Sequence, residues 1–154
     1  MKCKEKLGAA LSTTLITLTL TMMAPAAQAA VKAFQLCTGP DNNSHVVEGT
    51  IDPTARTDVN ALHFKETAAH SSFDWHQDPE PQYVITLSGT LEFVTKTGET
   101  FTLHPGDVLL AQDNSGSGHR WRLIDDQPWK RAYVVLKPGA KTSFVPKPGG
   151  PKGC

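Results

Sequence analysis

The chain has 154 residues, with 15 Lys and Arg against 15 Asp and Glu, so its formal net charge is zero. With no basic run and no aromatic-basic interleaving, that balance excludes nucleic acid or an acidic membrane as a partner recruited by bulk charge. A chain of this length fits one domain.

Lys2, Lys4 and Lys6 make a basic start, and Leu7 to Met23 is an uncharged, apolar, Thr-rich run. Ala27-Gln28-Ala29 is a small-x-small cleavage site. This order predicts a secretory signal peptide over residues 1–29, removed near Ala29 or Ala30. The apolar run of about 17 residues is at the short limit for spanning a bilayer. No stable membrane anchor is therefore expected after cleavage, and the expected location is outside the cytoplasm, in the periplasm. Losing Lys2, Lys4, Lys6 and Glu5 leaves 12 basic and 14 acidic residues in the mature chain. Cys3 leaves with the leader, while Cys37 and Cys154 remain near the two ends. In an oxidising compartment such a pair closes a disulfide; two free thiols are the alternative.

The mature chain reads as short strands between turns. Val31 to Leu36 opens it, and Gly39-Pro40-Asp41-Asn42-Asn43 is a turn cluster. His45 to Ile51 reads as a strand broken by Gly49, and Val59 to Thr67 as an alternating strand. Ala68 to Ser72 reads as a polar connection, and a polar cluster of Asp74, His76, Gln77, Asp78 and Glu80 follows. In the next strand Gln82, Val84 and Thr86 share one parity, and Tyr83, Ile85 and Leu87 share the other. Leu91 to Thr95 and Glu99 to Leu103 flank a Lys96-Thr97-Gly98 hairpin turn. Val108 to Ala111, His119 to Ile124 and Lys130 to Leu136 complete the strands, with a Gly/Ser loop at Asp113 to Gly118. His119, Trp121 and Leu123 share a face, opposite Arg120 and Arg122. The Pro/Gly/Lys-rich residues 138–154 read as a solvated tail. No helical period is sustained, so the pattern predicts an all-β sandwich or barrel over residues 31–137.

These residues resemble the cupin superfamily, in particular its small single-domain bacterial members. The first motif of that family runs Gly, five residues, His-x-His, three or four residues, Glu, six residues, Gly. His76 falls on its first His, Asp78 replaces the second, Gln82 stands on the Glu position and Gly89 on the final Gly. The second motif has a Gly-Asp turn, then Pro-x-Gly, two residues, His. Gly106-Asp107, Gly116 and His119 match it, with Asn114 where Pro is usual. The resemblance implies a single-domain cupin barrel, a double-stranded β-helix or jelly roll. It leaves activity open, because cupins include enzymes of many classes, storage proteins and sugar-binding modules. Many dimerise, so the resemblance adds a second copy of this chain as a candidate partner.

A cupin commonly holds one divalent metal with three imidazoles and a carboxylate. The resemblance therefore makes His76, Gln82, His119 and Asp78 the candidate ligands for zinc, iron, nickel or manganese. Gln82 offers an uncharged carbonyl oxygen where a charged ligand is usual. The rival reading is a metal-free pocket, in which the same groups hydrogen-bond a small organic ligand without catalysis. Trp121 shares the His119 face and His63 the Ala61 parity, so both are candidate pocket-lining residues. For His63 the alternative is a half-exposed edge histidine, and Asp113 reads as the cap of the Gly/Ser loop, with a role at the pocket mouth as its alternative.

Overall fold

The computed structural model describes residues 30–149 and 154; the expected leader over residues 1–29 lies outside the described residues. Eleven strands run through them: β1 (Lys32–Thr38), β2 (Ser44–Ile51), β3 (Val59–Thr67), β4 (Ser72–His76), β5 (Gln82–Ser88), β6 (Leu91–Thr95), β7 (Thr100–Leu103), β8 (Val108–Gln112), β9 (His119–Leu123), β10 (Trp129–Leu136) and β11 (Phe144–Pro146). They form a seven-stranded sheet in the order β11-β2-β1-β8-β5-β10-β3 and a four-stranded sheet in the order β4-β9-β6-β7. The fold is an all-β jelly roll of two facing sheets, as the strand pattern predicts. Neither sheet closes on itself, so the barrel is an open sandwich.

Alternation fills the space between the sheets. Phe34, Leu36, Val84, Leu109 and Ala111 come from the large sheet, and Leu91, Phe93, Phe101, Leu103 and Leu123 from the small one. All are buried, and each such Leu or Phe contributes about 1.5–3 kcal/mol. The registers Leu91↔Leu103 and Leu91↔Leu123 make one apolar row across β7, β6 and β9. Four residues along β6 the row has turned polar, with Thr95 opposite His119. One end of the sandwich is therefore packed with leucine and the other carries polar side chains.

Two segments depart from the sequence expectation. Ser72–His76, read as polar connection and cluster, is an edge strand that pairs with β9 through a bulge between Phe73 and His76. Its one hydrogen-bonded neighbour is β9, and its side chains stay half-buried or exposed. It therefore lacks the apolar alternation that marks an internal strand. The second departure is the tail. Phe144–Pro146 pairs antiparallel with β2, while Ala140 and Phe144 pack on the outer face of the large sheet beside Tyr83 and Leu110. The Ser143 N–H donates to the Tyr83 hydroxyl at 2.6 Å. Gly49 does not break β2. A Cβ there would collide with the Val145 carbonyl and the Phe144 ring, so the missing side chain is what lets β11 dock. Cys154 closes a disulfide with Cys37, with Cα atoms 5.6 Å apart.

Candidate functional site

A cavity of about 480 Å³ runs from the polar end along the open edge strands β3 and β4, bordered by His63, His76, Asp78, Gln82, Trp121 and Arg131 among others. That size suits a small organic molecule. His76 ends β4 and Gln82 opens β5, with Asp78 in the turn between them. Gln82 points inward and is buried, as its parity with Val84 and Thr86 requires. Trp121 lies on β9 two residues beyond His119, and its ring meets Trp129 edge-on at 4.9 Å. His63 is exposed on the edge strand β3, at the cavity rim, where it stacks on Tyr133 at 4.9 Å.

His119 does not border the cavity. It is 2% exposed, and its ring sits 4.3 Å from that of His76, centroid to centroid. Its Nδ1 lies 2.8 Å from Oδ2 of Asp113, which is fully buried. In the neutral imidazole Nδ1–H donates to that carboxylate, leaving the Nε2 lone pair free. On His76, Nδ1 lies 2.7 Å from the Asp74 carbonyl, so its Nε2 is also the free nitrogen. Burial holds the His76 imidazole below its ordinary pKa, with the neighbouring His119 adding to the effect and the Asp74 carbonyl opposing it. Neutral imidazole is the form that binds metals and accepts protons.

Ligand atoms of Asp78, Asp113 and His119 converge within 4.8 Å of one another. Burial pushes the Asp78 carboxyl up to about 9; the Asp113 carboxylate pushes it the same way, and Gln82 offsets part of the rise. Burial also acts to raise Asp113, but its bonds to His119 and Asp78 hold it below the ordinary value. The two environments drive the carboxyls apart, as happens when two carboxyls share one proton. Asp78 Oδ2 and Asp113 Oδ1 receive no hydrogen bond from the described residues when both groups are written as carboxylates. A proton on Asp78 would supply a donor, and a cation would instead coordinate the free oxygens.

The loop from Asp113 to Gly118 builds this cluster. The Asn114 side-chain amide donates to the Asp78 carbonyl at 3.1 Å, and that of Gln77 donates to the Gly116 carbonyl at 2.6 Å. Gly118 has φ +72°, and a Cβ there would collide with the His76 carbonyl. The second-motif loop is thus pressed against the first-motif turn, and Asp113 reaches Asp78 as a result. On the opposite face of β9 the arginines point outward. Arg122 pairs with Glu92 at 2.8 Å, and Arg120 lies 5.1 Å from the Trp75 ring centre.

Sequence reasoning gave Asp113 the role of a loop cap, with a place at the pocket mouth as the alternative, and passed over Arg131 altogether. Asp113 carried a signal in its spacing: it stands six residues before His119, at the start of the second-motif loop. Arg131 carried one in its parity, since Trp129, Arg131 and Tyr133 alternate toward the interior of β10. Of the expected ligands, the structure brings Asp78 and His119 together around Asp113, with His76 packed against the His119 ring.

The family model described as a cupin domain matches residues 63–135. The chain belongs to the cupin superfamily. The matched residues run from β3 to the end of β10 and include both motifs and the Asp78–Asp113–His119 cluster. This cupin has no significant match among curated proteins.

Proposed function

We propose that this cupin is exported and binds a small molecule in the cavity at its polar end, with a divalent metal on the cavity floor. The supporting observation is the convergence of Asp78, Asp113 and His119, with two buried carboxyl oxygens short of a donor. Buried carboxylates ordinarily have a counter-charge, and a cation supplies one. The donor set fits the group: His119 and Asp78 would hold the metal, with His76 and Gln82 as adjacent donors. Asp113 would orient His119 through Nδ1, as an outer carboxylate does for a ligating histidine. Imidazole with carboxylate suits zinc, iron, nickel or manganese. When bound, such a metal would act as a Lewis acid on an oxygen-bearing ligand or take part in oxygen chemistry. Export is supported by the leader pattern of residues 1–29 and by the disulfide, which persists in oxidising compartments.

The second reading is a metal-free, non-catalytic binding module. Its support is the high pKa of Asp78, because a proton shared between the two carboxyls also satisfies the cluster. Elemental analysis of untagged protein purified from its native compartment separates the two. About one equivalent of a transition metal is the expected result. A protein that carries none and takes up none on dialysis would leave the binding-module reading.

A further inference from the structure

Arg131 is 2% exposed, yet among the described residues no carboxylate lies within ion-pair distance of its guanidinium. Its hydrogen bonds run from Nε to the Tyr133 hydroxyl at 2.7 Å and from Nη1 to Thr67 Oγ1 at 2.9 Å and the Trp129 carbonyl at 3.3 Å. A guanidinium has five N–H groups. Those three bonds use Nε and both hydrogens of Nη1, which leaves both hydrogens of Nη2 without a protein acceptor. The Trp129 ring lies 3.6 Å from the guanidinium carbon, so an aromatic face takes the place of a counter-ion on one side. Arg131 also borders the cavity.

A buried cation without an anion is costly unless something supplies one. Guanidinium stays charged in a protein, so burial does not neutralise it. We infer that the ligand of this cupin carries a carboxylate, received by Nη2 of Arg131 while the rest of the molecule lies along Trp121 toward His76 and Asp78. The inference rests on the reading of that cavity as the ligand pocket. A single negative charge matches the site, because one guanidinium nitrogen is open. Tyr133 and Thr67 act as positioning residues that hold the guanidinium plane. Arginine suits the task because its planar fork fixes the direction of a charge-assisted hydrogen bond.

The test is a set of melting curves at constant ionic strength, using propanoate and benzoate beside their neutral amides, propanamide and benzamide. Wild type should melt higher with at least one of the two acids and should not respond to the matching amide. Arg131→Met removes the charge and keeps an apolar side chain. It should melt no lower than wild type without ligand, and the apparent affinity for the acid should fall at least tenfold. Overturning results are an amide as effective as its acid, no response of wild type to either acid, or full response by the variant. A ligand-free variant that melts well below wild type, or does not fold, would make Arg131 a packing residue and overturn the inference as well. Metal content of the same preparations is read separately, so the proposed metal cluster stands or falls on its own.

Discussion

The two ends of the sandwich are made by the same strands and do opposite things. At one end Leu91, Leu103 and Leu123 face each other across β6, β7 and β9, all at 5% exposure or less. At the other end the same β6 and β9 put Thr95 opposite His119, and buried side chains there include Asp113 and Gln82. Apolar burial is favourable without direction, so the leucine end needs only volume. Each buried polar group at the other end needs a partner of fixed geometry, and several lack one. Stability is concentrated at the first end, and strain that a ligand or ion would relieve is kept at the second.

The largest expected effect lies outside both ends. Reducing the Cys37–Cys154 bridge, or Cys154→Ser, releases a loop of about 116 residues, for which loop-closure entropy sets an upper value of about 4–5 kcal/mol. Denaturant titration should show the loss with the metal content unchanged. In the oxidised protein neither thiol should react with a maleimide. Leu103→Ala at the packed end should cost about 2–5 kcal/mol, again with the site intact, because Leu103 is fully buried in the apolar row. Loss of metal in this variant would mean that the two ends are not independent.

At the polar end the sign should reverse. Asp78→Asn replaces a carboxyl that burial disfavours, and the amide can donate to Asp113. We expect about 1–3 kcal/mol of added stability at neutral pH without ligand, because the amide needs no proton taken up on folding and the buried carboxyl does, together with loss of metal. The pH dependence follows from the same group. Between its ordinary pKa of 3.8 and its raised folded value, the unfolded Asp78 has lost its proton while the folded one retains it. Its contribution therefore makes stability fall as pH rises, and Asp78→Asn should flatten that slope. A variant less stable than wild type at neutral pH would mean that Asp78 is well solvated or already paired.

The smallest effect tests the surface. His45 lies 3.0 Å from Asp41 and 3.1 Å from Glu99, and the bond to Asp41 does most to raise its pKa. Its contribution should be complete below the ordinary histidine pKa and should fade as pH rises through the raised value. Salt should weaken it. Melting curves of wild type and His45→Gln should differ at pH 5 and converge at pH 9; an equal gap at both would assign His45 a packing role.

Much of this was legible in the residues. Strands β1 to β3 and β5 to β10 were visible because apolar runs or alternation lie between Gly/Pro turns. The inward parity of Gln82 followed from Val84 and Thr86. Strand β4 was hidden, since an edge strand half in solvent carries Asp74 and His76 where a core strand would carry apolar residues. Strand β11 was hidden because Pro146 and the glycines around it resemble a disordered tail, and its docking depends on the bare backbone of Gly49, far upstream of Phe144 in the sequence. The Asp78–Asp113 contact was hidden for a different reason. It arises from one loop pressed on another, and no periodicity reports loop packing.

The central claim is that the polar end holds a metal through His119 and the carboxyls beside it. Metal content should therefore be measured after dialysis for wild type, His119→Ala and Leu103→Ala side by side, with each fold checked by circular dichroism. The account predicts about one equivalent in wild type and in Leu103→Ala, and none in a folded His119→Ala. Equal metal in all three, or none in any, would contradict it.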